Sequence, residues 1–269
     1  MKLLVLTSNA LRHVAVANMV TSSADEALVI VETQPQMHPR TFPALADHFR
    51  LREDTEARWF SGHQVVNAQT LSVMYGEMNT PRVRDVVAAW QPDMAIVFGA
   101  SLIHQELQEV LPDGKTVNLH LGLSPYYRGS GTNFWPFVND ELEYVGSTVM
   151  HLDGGIDSGP IIAHVRPQLE PGDTGHAAGC RVIQASAVVL AQMIEHVRHG
   201  MKREGRAYRL PGVAQWPASN PRYYRERDVT QEVVTRYHDN LSQGIVTRYL
   251  QRPQPRVQLI EWSSEVTVG

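Results

Sequence analysis

Short apolar runs alternate along this chain with segments whose apolar residues recur every three or four positions, and that alternation predicts the elements. The run KLLVLTS at 2–8 is apolar and closes on polar residues, the pattern of a buried parallel strand. A helix is predicted over Ala10–Val20 and a second strand over Ala27–Val31, followed by a loop from Gln34 to Pro43 that carries three prolines. Residues 44–60 are charged, with Leu45, Phe49, Trp59 and Phe60 at helical spacing. Pro81 suits a first helical position and opens PRVRDVVAAW, where Val83, Val86, Val87 and Trp90 share a face. The strand MAIVFGA, a helix near Ile103–Val110 and the strand TVNLH, ending at His120, come next.

This order predicts an α/β fold, a Rossmann-like wound and mostly parallel sheet with helices on both faces. Two further strands are expected at Val145–Leu152 and Pro160–Val165, separated by the turn DGGIDSG. Ile183, Ala187, Leu190, Ile194 and Val197 then mark one long helix over Ala177–His199, with Gly200 expected as its stop signal. Beyond residue 205 Arg, Tyr and Pro dominate, and only Asp228–Asn240 reads as helical. The expected division is a catalytic domain over 1–205 and a small C-terminal extension over 206–269. No internal repeat is apparent.

Composition narrows the class. With 43% hydrophobic and 19% charged residues among 269, a sizeable core is available and disordered or fibrous classes are excluded. A single cysteine, Cys180, allows no internal disulfide and no thiolate zinc site, and its helical surroundings suit a core position. No apolar run approaches the ~18 residues of a membrane span, and the opening apolar stretch is too short for a signal peptide, so a cytoplasmic protein without membrane association is expected. The net charge of −4 gives no general attraction to nucleic acid. Residues 200–269 nevertheless hold 11 Lys and Arg against 7 Asp and Glu, either a solvated face or a hold on a phosphate-bearing ligand.

Candidate chemistry gathers in two places. In wound sheets ligands meet the carboxyl ends of strands. TVNLH ends there with Asn118 and His120, two residues apart and therefore on one face of the strand. Such residues also satisfy nearby backbone groups, and the pair alone leaves both readings open. The second place is HLDGGIDSGPII at 151–162, where glycines surround Asp153 and Asp157. An ordinary turn with Asp as its turn former fits the same residues. His151 and Asp153 have no third partner at a metal-ligand spacing, so no metal is expected. The loop RGSGTN matches neither a P-loop nor a dinucleotide fingerprint.

Taken together these segments resemble the folate-dependent formyltransferases. The resemblance rests on Asn-Leu-His at a strand end, the Pro125, Arg128, Gly129 loop, and Asp-Ser-Gly-Pro-Ile-Ile beginning 39 residues after the asparagine. It implies transfer of a formyl group from N10-formyltetrahydrofolate, a donor cosubstrate, to an amine, with no metal and no covalent enzyme adduct. Asn118 would donate to the oxyanion of a tetrahedral intermediate, His120 would stabilise it and move the amine proton, and Asp157 would orient His120 and relay protons. The folate would lie in an apolar cleft against the backbone of Leu102 and Ile103 on one side and of Gly154, Gly155 and Ile156 on the other.

The acceptor implied is a small-molecule amine. The glycine-rich phosphate loop of the glycinamide ribonucleotide branch is missing from TSNALRHV, and the tail is shorter than the C-terminal barrel of the methionyl-tRNA branch. Gly122-Leu123-Ser124-Pro125 also differs from the Ser-Leu-Leu-Pro of the tRNA enzymes. With Arg12 and His13, the remainder looks most like formyltransferases of nucleotide-linked amino sugars. There Tyr126, Tyr127, Phe134 or Trp135 would stack on a base or sugar, with Arg128 near phosphate, although packing of the loop explains the aromatics as well. Other readings are a formyltetrahydrofolate hydrolase, formylation of methionyl-tRNA, an amino acid or a hydroxylamine, and a non-catalytic binding protein. Pro221–Asp228 either closes the acceptor site or contacts a second copy in a homodimer.

Overall fold

The computed structural model describes residues 1–34, 43–218 and 220–263. Five parallel strands, β1 (Lys2–Ser8), β2 (Glu26–Thr33), β3 (Gln69–Met74), β4 (Met94–Phe98) and β5 (Thr116–His120), form most of one sheet. A three-residue strand, β6 (Tyr127–Gly129), lies outside it, and β7 (Ser147–His151) and β8 (Ile161–Val165) complete it in antiparallel sense. The order is β3-β2-β1-β4-β5-β7-β8, so the winding reverses between β1 and β4, where wound sheets hold their ligands.

The period-two alternation of the strands sorts the core onto two faces. Leu3, Val5, Val29 and Ile96 point to a cluster shared with α1 (Leu11–Thr21) and α6 (Gly175–Glu204). Leu4, Leu6, Leu28 and Ile30 point the other way, onto Val83 and Val87 of α3 (Pro81–Trp90) and Leu107 of α4 (Gln105–Gln108). Cys180 is buried in the first cluster, and burial pushes its thiol up to about 12. In length and apolar content α6 passes for a membrane-spanning helix, although no unbroken apolar run marks it in the sequence; half of its most apolar stretch is buried within the protein.

Gly200 does not stop α6. The helix continues to Glu204 and is capped by Gly205 at φ 67°, while Gly200 faces Tyr208, whose ring lies 2.4 Å from where a Cβ would sit. The glycine is therefore a contact surface for the returning chain. A helix-interior Gly→Ala change ordinarily stabilises by about 0.5–1 kcal/mol. Here the sign reverses: Gly200→Ala is expected to lower the Tm by several degrees, read by circular dichroism.

Apart from short 3-10 turns, five elements were not predicted from sequence: β3, β6, α5 (Trp135–Asn139), β9 (Arg222–Tyr224) and α8 (Ile245–Gln251). β3 is an edge strand in which only Val73 is buried, so it lacks an apolar alternation to read. β9 has three residues and pairs in parallel with β6. The predicted loop at 34–43 falls, for residues 35–42, outside the described residues.

The chain beyond residue 205 packs into a third cluster, in which Tyr127, Trp135 and Phe137 meet Tyr237 of α7 (Gln231–Ser242) and Ile245. It also returns to β8: Val213 and Ile161 exchange backbone hydrogen bonds at 2.7 and 2.8 Å, and His164 N–H donates to the Ile260 carbonyl at 2.7 Å.

His48 of α2 (Pro43–Trp59) and His176 of α6 lie 4.5 Å apart between ring centroids, against Tyr237 and Phe134. Burial, helped by the positive charge of Arg52, pushes His48 down to about 4 and His176 to about 3. Both rings gain a proton on unfolding at about pH 6.5 but not in the folded protein, so stability is full above pH 6.5 and falls as pH drops towards 4. Each ring removes at most about 1.4 kcal/mol per pH unit in that window. Denaturant unfolding at pH 7.0, 6.0 and 5.0 should follow that fall, and His48→Leu should flatten it.

Candidate active site

Three carboxyl-terminal strand ends supply the frame. Glu32, at the end of β2 and fully buried, accepts from Gly76 N–H at 2.9 Å, from Ser101 N–H at 3.0 Å and from the Ser101 hydroxyl at 2.7 Å. It thereby fastens the loops that follow β3 and β4. At the end of β1, Ser8 Oγ meets His13 Nδ1 at 2.6 Å, and the His13 ring lies over Gly99, where a Cβ would come within 2.2 Å of it. Burial holds His13 well below the usual histidine range, and Arg12 pairs with Glu56 at 2.8 Å. Both members of the Arg12–His13 pair are therefore occupied in holding the frame.

β5 carries the next two groups. Its register sets Asn118 opposite Val97 of β4 and Met150 of β7, and His120 opposite Thr148. Asn118 Nδ2 donates to Asp157 Oδ1 at 3.0 Å, and His120 Nδ1 lies 3.2 Å from Asp157 Oδ2. One carboxylate from the β7–β8 turn thus engages both side chains. On the other side His120 Nε2 lies 3.3 Å from the Tyr127 carbonyl, so the ring is held from both ends. The ring is 8% exposed. Gly122 makes room for it, since a Cβ there would lie 2.8 Å from Nε2.

Asp157 occupies the left-handed region at φ 50°. Its turn is narrow at the neck: His151 N–H donates to the Pro160 carbonyl at 2.9 Å, and a Cβ at Gly159 would sit 1.9 Å from the His151 carbonyl oxygen. Asp153 shapes the turn from within, accepting from Gly155 N–H at 3.0 Å and from the Ser158 hydroxyl at 2.9 Å. Its structural reading is the one the geometry carries.

The residues expected around the folate lie on two facing segments. Leu102 and Ile156 are 52% and 58% exposed, whereas Ile103 is buried. Gln108 joins the segments, donating to the Ile103 carbonyl at 2.7 Å and the Asp153 carbonyl at 3.3 Å. Beside it a cavity of about 620 Å³ opens between α4, the start of β5 and the end of β7, bounded by Gln105, Gln108, Leu111, Thr116, Leu152 and Leu210. It lies at the amino end of β5, and neither the residues expected around the folate nor Asn118, His120 or Asp157 line it. Among the described residues no group of three His, Cys, Asp or Glu is arranged to hold a metal.

The expected acceptor residues divide by burial. Tyr127 is 1% exposed and its hydroxyl is engaged by Glu141 and Asn139, so its ring packs in the core and only its carbonyl reaches the site. Tyr126 stays half-exposed, its hydroxyl accepting from the Trp216 indole at 3.3 Å. Arg128 donates to the Ile156 carbonyl at 2.7 Å and so braces the Asp157 turn. Phe134 and Trp135 pack internally, the latter stacked on Tyr224 at 3.8 Å.

The sequence profile of the formyl transferase family matches residues 4–194, a span holding all seven strands of the sheet but the first two residues of β1, and all three converging side chains. The chain belongs to that family. Among curated relatives of this chain, the methionyl-tRNA formyltransferase of Trichlorobacter lovleyi is 31% identical over 125 residues, 46% of this chain and 39% of that enzyme. The chain thus spans about two fifths of the length of the curated relatives it matches. A sugar N-formyltransferase from Shewanella superposes with a TM-score of 0.55 at 16% identity, covering 90% of this chain and 86% of its own. An N-formyltransferase from Helicobacter canadensis, solved with folinic acid and dTDP-3-aminofucose, gives 0.54 at 14% identity over 90% and 81%. At such identity these likenesses establish the fold.

Proposed function

We propose that this formyltransferase moves a formyl group from N10-formyltetrahydrofolate to the amine of a nucleotide-linked amino sugar. The observation that carries the reading is the convergence of Asn118 and His120 on the single carboxylate of Asp157. The segments expected to meet the folate, Leu102–Ile103 and Gly154–Ile156, are tied to each other through Gln108, which donates to the Ile103 and Asp153 carbonyls. The folate supplies the formyl carbonyl. Asn118 has one amide N–H on Asp157 and a second free to donate to the oxygen that gains charge as the amine attacks. His120, kept in place by Asp157, takes up and returns the amine proton, and no side chain forms a bond to the formyl carbon. The buried thiol of Cys180 suits a cytoplasmic setting.

The sugar acceptor is supported by the ligand held in the Helicobacter canadensis structure. A second reading, methionyl-tRNA, is favoured by the 31% identity to the Trichlorobacter lovleyi enzyme. Tetrahydrofolate release, with thymidine-diphosphate-linked 3-amino and 4-amino dideoxy sugars or methionyl-tRNA added, separates the readings. Release that requires an amino sugar, with one formyl group added to it by mass, is expected. Release that requires methionyl-tRNA overturns the acceptor, and release without any acceptor makes the protein a hydrolase.

A further inference from the structure

We propose that Gln215, from the C-terminal extension, is a positioning residue that holds the Asp157 carboxylate where Asn118 and His120 meet it. The proposal rests on the reading of Asp157 as their catalytic partner. Gln215 lies beyond the span matched by the family profile, which ends at residue 194.

Gln215 Nε2 donates to the Asp157 carbonyl at 2.9 Å and to the Gly159 carbonyl at 3.0 Å. Both amide hydrogens are thereby used, and since both partners accept only, the amide has one orientation that fits. The backbone it grips needs holding. Asp157 stands at φ 50°, a region residues with a Cβ seldom occupy, and relaxation of that torsion would carry its carboxylate away from β5. Arg128 holds the preceding carbonyl, that of Ile156, so the turn is gripped from two sides by side chains foreign to it.

Gln215 is itself fixed at both ends. Two residues earlier Val213 exchanges hydrogen bonds with Ile161, and one residue later the Trp216 indole donates to Tyr126 and packs edge-on against His164. Gly212 lies against the His151 ring, where a Cβ would come within 2.7 Å. The segment 211–216 therefore closes over the base of the turn, and the catalytic arrangement is incomplete without it.

Gln215→Met keeps the length of the side chain and removes its donors, and Gln215→Glu removes them at nearly unchanged volume while adding a negative charge. Either is expected to lower kcat about tenfold with KM for donor and acceptor within about twofold, because misplacement of a catalytic group costs rate more than binding. In an Asp157→Ala background the same change should cost less than about twofold, since its effect passes through Asp157. Hydrogen exchange at the His151 and Gly155 amides, bonded within the turn, should accelerate in both variants. Equal losses in the two backgrounds, or unaltered exchange, would overturn the proposal. If the unmodified protein transfers no formyl group to any acceptor tried, the functional reading falls and the exchange measurement still decides the role of Gln215.

Discussion

His120→Ala is expected to lower kcat by about three orders of magnitude while the protein stays folded, within the 10²–10⁴ range of a lost acid–base group. The imidazole is the group placed to relay the amine proton, and its place on β5 is fixed by neighbours that remain in the variant. Asn118 still donates to Asp157 Oδ1 when the ring is gone, so the turn keeps one of its two ties to the strand. Single-turnover rates at saturating donor, with circular dichroism as the check on folding, measure this. A loss below tenfold would remove His120 from the chemistry.

Asn118→Ala should cost about 10²–10³ in kcat, the usual effect of deleting a preorganised donor to a developing oxyanion. The two substitutions differ in signature. An oxyanion donor acts on charge that exists only in the transition state, so kcat and kcat/KM should fall together. It supplies no proton, so the pH dependence of the residual rate should keep the unmodified shape. A rise in KM with unaltered kcat would instead make Asn118 a ligand of the ground state.

Much of this site was legible before any coordinates. β1, β2, β4 and β5 are buried on both faces, so their apolar runs stand out, and the strand ends follow from where those runs stop. Asn118 and His120 sit two residues apart on one strand, and alternation alone puts them on one face. Their approach to Asp157, 39 residues beyond Asn118, was read from resemblance, since no local rule joins a strand to a turn at that distance.

What escaped notice depends on contacts between distant segments. Tyr127 looks like its neighbours in sequence, yet its ring is buried and its hydroxyl is tied to Glu141 and Asn139, while Arg128 reaches the Ile156 carbonyl. Gly200 carries the ordinary mark of a helix end, but Tyr208 needs the space it leaves. Gln215 stands in a stretch without periodicity, and its partners are backbone carbonyls, which leave no signature in residue identity.

The hydrogen bonds from Val213 and Ile260 to β8 have a meaning for crowding as well as for catalysis. An uncovered strand edge invites pairing with another chain, and a sheet with two such edges can extend without limit. Here the chain's own tail occupies the β8 side, while β3 stands at the opposite end of the sheet order. The tail thus removes one of the two edges through which such growth would have to run.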